Sequence, residues 1–158
     1  MNRIALFAAG IIVGLAVHAA IAQERKLHGL NHVGIVVADY AAALRFYTET
    51  LGLPEAYTIH NSDGSVRLTY LQVNRETFVE LIPAAAGQSP GINHFGIEVG
   101  DIDAAVADLR THGVAAGDPG RTPANAEFVR IADRDGVPIE MLELGPESLQ
   151  RKAINAWK

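Results

Sequence analysis

The sequence predicts an α+β fold in which two tandem βαβββ modules form a curved, barrel-like mixed sheet with helices outside. The first observation is an internal repeat: the motif Asn-His-Val-Gly at residues 31–34 returns as Asn-His-Phe-Gly at residues 93–96. The second is the order of the hydrophobic patterns, which indicates a strand, a helix and then three strands in each copy. One structural unit is therefore written twice in this chain.

The first 22 residues are excluded from that fold. A weakly positive start is followed by an apolar run from Ile4 to Ile21 and by the small-residue pattern Ala-Ile-Ala at residues 20–22. This order is typical of a secretory signal peptide. We expect cleavage before Gln23 and a periplasmic or secreted protein. The alternative is an uncleaved segment that anchors the chain, since about 18 apolar residues just reach across a bilayer.

Composition limits the partners of the protein. The chain has no cysteine, so disulfides cannot stabilise it after export. It has 13 Lys and Arg against 18 Asp and Glu, and removal of Arg3 with the signal peptide leaves 12 against 18, a net charge of −6. No basic run is present, which argues against nucleic acid as a partner. We expect a small-molecule substrate and no stable membrane association after signal cleavage.

The first module spans about residues 30–83. Its opening strand is the apolar, β-branched stretch Val33–Val37. Asp39 is placed to cap the helix that follows, and Gly52 with Pro54 ends that helix. Three further strands are expected at 56–60, 66–73 and 77–82, with a turn at 61–64.

The second module spans about residues 92–144, after a linker of small residues and proline. Its helix is capped by Asp101 or Asp103 and closed by Gly113. The other elements expected are strands at 92–99, 127–132 and 139–144, a short strand or extended piece at 114–116, a loop at 119–123 and a tight turn at 133–136.

The predicted domain therefore occupies residues 23–145, and a C-terminal helix occupies residues 146–158. Ser148 begins that helix, and Leu149, Ile154 and Trp157 are its expected packing residues.

Each module carries one histidine and one glutamate on strands. His32 and His94 stand near the start of the first strand of each copy, and Glu80 and Glu140 stand in the last. A single histidine or glutamate in such a place is usually an ordinary surface residue. An ionised carboxylate between apolar neighbours is costly unless a cation compensates it, however, and the repeat places all four by symmetry. The sequence therefore predicts a divalent ion, one of Zn, Ni, Co, Mn or Fe(II), held by these four side chains.

Other polar side chains have weaker claims to a functional role. Glu98 shares a strand face with His94 and could assist, although a surface or supporting role is favoured. Tyr70, Gln72 and Arg130 could line a substrate cavity.

With these residues in hand, the chain resembles the vicinal oxygen chelate superfamily, which includes glyoxalase I, methylmalonyl-CoA epimerase, extradiol dioxygenases and drug-resistance proteins. The likeness covers about residues 30–144. It rests on the two Asn-His-x-Gly motifs, on Arg-Phe-Tyr at 45–47 followed by Leu-Gly at 51–52, and on residues 133–140. This last segment, Asp-Arg-Asp-Gly-Val-Pro-Ile-Glu, resembles the family's Asp-Pro-Asp-Gly-x-x-Ile-Glu ending, with Arg134 in the place of proline.

The resemblance implies a reaction class. Glyoxalase I-like members bind their metal through His, Glu, His and Glu, whereas methylmalonyl-CoA epimerases usually have Gln at the second place, so Glu80 favours the glyoxalase pattern. The implied protein is a metal-dependent lyase or isomerase that abstracts a proton beside a carbonyl through a metal-stabilised enediolate. Glu140 is preferred as the general base, with Glu80 as the next candidate.

Two alternatives stay open. One is an Fe(II) extradiol-type dioxygenase, and the other is a non-catalytic small-molecule or drug-binding protein of the same fold. Glyoxalase I itself is disfavoured, because glutathione is a cytosolic compound and the chain has no basic cluster to hold its carboxylates. A homodimer is compatible with the resemblance, and the sequence leaves open whether the site lies within one chain or between two.

Overall fold

The computed structural model describes residues 27–158, which form one mixed sheet of eight strands in the order β2-β3-β4-β1-β5-β8-β7-β6. The strands are β1 (Leu27–Val37), β2 (Glu55–His60), β3 (Val66–Gln72), β4 (Phe78–Pro83), β5 (Gly91–Val99), β6 (Gly120–Arg121), β7 (Glu127–Ala132) and β8 (Pro138–Glu143). The helices are α1 (Tyr40–Arg45), α2 (Ile102–Thr111) and α3 (Leu149–Ala156). The predicted α+β fold of two βαβββ modules is confirmed.

The two modules meet at their first strands. β1 pairs antiparallel with β5, while β1 pairs parallel with β4 and β5 pairs parallel with β8. The sheet is curled. Tyr70 on β3 and Leu142 on β8 pack in one apolar cluster, although three strands lie between β3 and β8. The strands at the centre of the concave side of this half-barrel are therefore β4, β1, β5 and β8.

The first two helices cover the convex side of the sheet. α1 covers a cluster that contains Val37, Leu71 and Leu81, and α2 covers its counterpart in the second module. Both helices begin as the sequence predicts, with the side chains of Asp39 and Asp101 accepting hydrogen bonds from backbone N–H groups three residues on. After Arg45 the first helix continues as a π-helical turn, Phe46–Thr50.

Two local predictions are wrong. Of the two forms expected for residues 114–116, a short strand or an extended piece, the strand is absent, because the backbone N–H of Val114 bonds to the end of α2 and the Ala116 carbonyl accepts from Arg110. The short strand lies instead at Gly120–Arg121, in the predicted loop, where a tight turn returns the chain to pair with β7. In α3, Trp157 is 38% exposed rather than packed, and Ile154 is the buried apolar residue of that helix.

The predicted signal peptide, residues 1–22, lies outside the described residues. Within residues 27–158, no helix has the length and apolar character needed to cross a membrane.

Candidate metal centre

The four predicted ligands come together on the concave side, within one chain. They lie on the four central strands, His32 on β1, Glu80 on β4, His94 on β5 and Glu140 on β8. All four side chains are buried. β1 pairs with β4, and β5 pairs with β8, so each glutamate lies opposite the glycine two residues after the histidine of its own module. Because β1 also pairs with β5, the histidine and glutamate of one module lie close to those of the other.

The ligand atoms of His32, Glu80 and His94 all lie within 4.8 Å of one another, and Glu140 lies beside this group. The Nε2 atoms of His32 and His94 are 3.0 Å apart, and Oε2 of Glu80 lies 3.0 Å from Nε2 of His94 and 3.8 Å from Nε2 of His32. Oε2 of Glu140 lies 3.6 and 3.7 Å from the same two nitrogens. Two imidazoles and two carboxylates in this arrangement match the donor set that divalent transition metals take.

The hydrogen bonds around the two histidine rings indicate which kind of group fits the position between them. Nδ1 of His32 lies 3.0 Å from Oδ1 of Asn31, and Nδ1 of His94 lies 2.9 Å from Oδ1 of Asn93. With the amide oxygens turned toward the rings, each Nδ1 donates to its asparagine, and the Nε2 of a neutral ring is then free to bind a cation. Two Nε2 atoms 3.0 Å apart suit either a hydrogen bond from one ring to the other or a cation held between two unprotonated nitrogens. The asparagine of each repeat therefore orients its histidine as a supporting residue does at a metal site.

Glu80 fits the same interpretation. Its Oε2 is buried and accepts no hydrogen bond within residues 27–158, and the nearest ring nitrogen, Nε2 of His94, lies 3.0 Å away. A buried, ionised and unpaired carboxylate oxygen is costly, and a divalent cation would compensate it. The residues present thus fit a divalent ion, which His32, Glu80, His94 and Glu140 would hold.

A cross-strand arrangement explains the glycine of each Asn-His-x-Gly motif. His32 lies opposite Gly96, and His94 lies opposite Gly34, in the ladder between β1 and β5. A Cβ atom at Gly34 would lie 2.2 Å from Cε1 of His94, and one at Gly96 would lie 2.2 Å from Cε1 of His32. Each imidazole therefore occupies the space above the glycine of the other module.

We expect Gly96→Ala to weaken metal binding by about 10- to 100-fold, the range for disturbing the groups that orient a ligand. The added methyl group would also lie 2.8 Å from Leu142, so the ring of His32 or its strand has to move. Titration of the apoprotein with Zn²⁺ against a chromophoric chelator measures the effect. Gly117→Ala is the matched control, because a Cβ there meets no atom within 4 Å. Equal affinities for the two variants would contradict the role assigned to the glycine.

The two glutamates differ in their surroundings. Glu140 lies opposite Arg130 in the pairing of β7 with β8, and Nη2 of Arg130 donates to Oε1 of Glu140. Burial alone would raise the pKa of Glu140, but its contacts with His32 and Arg130 and the nearby ring of His94 outweigh burial and lower the pKa to about 2. Glu140 is therefore an ionised and firmly held carboxylate.

Tyr70 takes the place opposite Glu80 that Arg130 takes opposite Glu140. It stacks on Tyr57, with ring centroids 4.9 Å apart, and meets the edge of the His32 ring at 5.3 Å. Burial, reinforced by the negative charge of Glu80, raises the pKa of Tyr70 well above its ordinary value. The two halves of the centre are thus equal in their ligands and unequal in the residues beside them.

A cavity of about 920 Å³ opens onto this centre. It has room for a small organic molecule. Of the residues expected to line it, Tyr70 and Arg130 do so, whereas the buried Gln72 instead donates to the backbone carbonyl of Arg75. The lining residues are Ile59, Arg67, Leu68, Tyr70, Glu80, Ile82, Asn93, His94, Arg121, Thr122, Pro123, Ala124, Phe128, Arg130, Glu140 and Gln150.

Two polar residues outside the four candidate ligands have clear positions in the structure. Gln150, on α3, is buried and reaches the cavity wall, and its only signal is a position four residues before Ile154 on the packed face of a helix. Glu98 does not join the centre: it accepts a 2.7 Å hydrogen bond from Arg151 of α3 and lies 3.6 Å from His28. It therefore ties the C-terminal helix to β5, in keeping with the favoured supporting role.

The fold and the cluster together define a class: proteins in which paired βαβββ modules curl around a candidate divalent-metal centre. Residues 29–141 match the Glyoxalase/Bleomycin resistance protein/Dioxygenase superfamily, and the chain belongs to this family. The resemblance drawn from the sequence motifs is confirmed.

Individual relatives differ in how much is known of them. The chain is 30% identical to the uncharacterized protein YaeR of Escherichia coli strain K12, over 74% of this chain and 97% of that one. It is 28% identical to the mitochondrial methylmalonyl-CoA epimerase of Mus musculus, over 73% of each chain. The crystal structure of methylmalonyl-CoA epimerase from Mycobacterium tuberculosis is similar with a TM-score of 0.68 and 30% identity, covering 77% of this chain and 91% of that chain.

Proposed function

We propose that this protein is a metal-dependent lyase or isomerase that removes a proton beside a carbonyl group of a small substrate. One observation carries the proposal: the Nε2 atoms of two buried histidines lie 3.0 Å apart beside a cavity, and a carboxylate oxygen of each of two buried glutamates lies within 3.8 Å of both nitrogens. A divalent ion bound there would polarise substrate oxygens and stabilise the negative charge that develops after proton removal. The similarity to epimerases agrees with this reaction class, and the substrate of this chain is left unassigned.

The residues of the chain would divide the work. His32 and His94 would be ligands whose orientation Asn31 and Asn93 fix through Nδ1. The apolar wall of the cavity, with Leu68 and Phe128 among its residues, would exclude water from the reacting carbon. The remaining task, removal of the proton, falls to a carboxylate.

The contacts favour Glu80 for that task. The sequence led us to prefer Glu140, and that preference stays a prediction. In the structure, however, Arg130 holds one oxygen of Glu140, whereas Oε2 of Glu80 accepts no hydrogen bond from the described residues. A carboxylate that already accepts a charge-assisted hydrogen bond is a weaker base and is less free to move. We therefore assign proton abstraction to Glu80 and the steadier ligand role to Glu140.

The test is exchange of an α-proton for deuterium. A panel of hydroxy-carbonyl and malonate-type compounds is incubated in D₂O with protein loaded with Zn²⁺, Ni²⁺, Co²⁺ or Mn²⁺, and proton NMR follows the loss of the α-proton signal. We expect exchange of at least one compound that depends on added metal. Stoichiometric oxygen uptake with a catechol and Fe²⁺ would instead establish the dioxygenase alternative, and tight binding with neither reaction would establish the binding protein.

We also propose that the protein acts outside the cytoplasm, on the pattern of residues 1–22. Cleavage after Ala22 should give a periplasmic or secreted chain that begins at Gln23. N-terminal sequencing of the protein recovered from the periplasm or medium checks this expectation. Intact chains that begin at Met1 and sediment with membranes would establish the anchored alternative.

A further inference from the structure

The charges around the cavity are unlike those of the whole chain. The chain has a net charge of −5, yet three arginines line the cavity, Arg67, Arg121 and Arg130. Among the described residues that line it, the only acidic groups are the two candidate metal ligands, Glu80 and Glu140. A divalent ion would balance those two carboxylates, so the arginines would leave the loaded cavity positive.

Arg130 stands apart from the other two arginines. Arg121 donates to Glu127 and to Asn125, which occupies its guanidinium. Arg67 also lines the cavity, but no ion pair among the described residues joins it to Glu80 or Glu140. Of these three arginines, Arg130 alone contacts a candidate ligand.

The guanidinium of Arg130 has donors to spare. Its Nη2 donates to Oε1 of Glu140, and its Nε and Nη1 donate to no group in the part of the chain that the structure describes. The side chain is 54% exposed, so these donors are open to a ligand from the cavity side. A planar guanidinium with two free donors matches the geometry of an oxyanion.

We propose that Arg130 binds an oxyanion of the substrate, so that the cavity takes a small carbonyl compound with a carboxylate or phosphate group in addition to the oxygens that chelate the metal. This inference rests on the proposed function, because it assumes that the substrate chelates an ion at the four-residue centre. The repeat also indicates where the anion lies. The first module has Tyr70 at the position that Arg130 occupies in the second, so the charged end of the substrate lies on the side of the second module.

Ligand binding to the Co²⁺-loaded protein tests the proposal without any need for turnover. The probes are tartronate and glycerate, two 2-hydroxy acids that share the chelating group but bear a carboxylate or a neutral hydroxymethyl group beyond it. The visible spectrum of Co²⁺ reports their binding. We expect the wild type to bind tartronate at least about tenfold more tightly than glycerate, and Arg130→Gln to reduce that ratio to about one. Arg110→Gln, which removes an exposed arginine paired with Asp118, should keep the ratio of the wild type.

The ratio separates substrate binding from a merely structural role. If Arg130 only held Glu140 in place, its loss would weaken both acids equally and leave the ratio unchanged, which would overturn the proposal. Loss of the preference in Arg121→Gln instead would assign the anion to Arg121 and would also overturn it. Should Arg130→Gln fail to hold Co²⁺, Arg130→Lys decides, because an ammonium loses the two-point contact and should lower the ratio about threefold. An unchanged ratio in that variant contradicts the role of the guanidinium.

Two further results locate any failure. A third probe, 3-phosphoglycerate, identifies the anion: tighter binding than tartronate indicates phosphate, and weaker binding indicates carboxylate. If the protein binds Co²⁺ but does not prefer tartronate, the anion site is wrong while the metal centre stands. If the protein does not bind Co²⁺, the proposed function fails first and this inference fails with it.

Discussion

Replacing His94 with alanine should abolish stoichiometric binding of a divalent metal. The wild type should bind about one ion per chain, because the four ligand atoms converge within a single chain. Removing one imidazole leaves three ligands and takes away the nitrogen closest to Glu80. We expect the affinity to fall by more than about 100-fold, since disturbing a supporting group alone costs 10- to 100-fold. Mass spectrometry of metal content and competition with a chelator measure the change.

His60→Ala is the control for that experiment. His60 ends β2, is exposed, and is not among the residues that line the cavity, so its removal should leave the stoichiometry unchanged. Metal should also stabilise the wild type against thermal unfolding, by about 2.7 kcal/mol when the free ion is at 100 times its dissociation constant. This increment should vanish in His94→Ala and persist in His60→Ala. Equal metal content in the wild type and His94→Ala would remove the centre from consideration.

Glu80→Gln should slow metal-dependent α-proton exchange by about 100- to 10,000-fold, the usual contribution of a general base. Glutamine keeps the shape of the side chain and a carbonyl oxygen for the metal while it removes the basic charge. Glu140→Gln is the matched comparison, because it makes the same change in the carboxylate that Arg130 holds. We expect it to weaken metal binding and to slow exchange less, once metal is saturating. A larger loss in Glu140→Gln would return the base to Glu140, as the sequence first suggested.

The repeat explains why so much of the site could be predicted. Two copies of one motif fix two histidines, and the matching last strands fix two glutamates, so the four candidate ligands follow from symmetry without knowledge of the pairing. The reason for the glycine in each motif could not be read in the same way. It depends on His32 lying opposite Gly96 across the seam, and no local pattern specifies that register.

The missed features share a physical cause. Arg130 contacts Glu140 because β7 and β8 pair in one register, and a shift by one residue would turn the guanidinium to the other face. Gln150 reaches the cavity only because α3 packs across the end of the sheet, after the last repeated strand. The strand at Gly120–Arg121 is too short to show alternation and exists only through its partner. Contacts between elements that are distant in sequence determine each of these features, and the local sequence does not specify them.

The antiparallel seam between β1 and β5 also constrains how such a protein can change over generations. Each half supplies one histidine, one glutamate and the empty space above a glycine that the opposite imidazole fills. Neither half is therefore self-sufficient, and a glycine lost from one copy damages the histidine of the other. The strands that flank the centre are under no such reciprocal constraint, as the unlike pair Tyr70 and Arg130 demonstrates. Over generations, the centre can thus stay symmetrical while residues of the flanking strands change to suit new substrates.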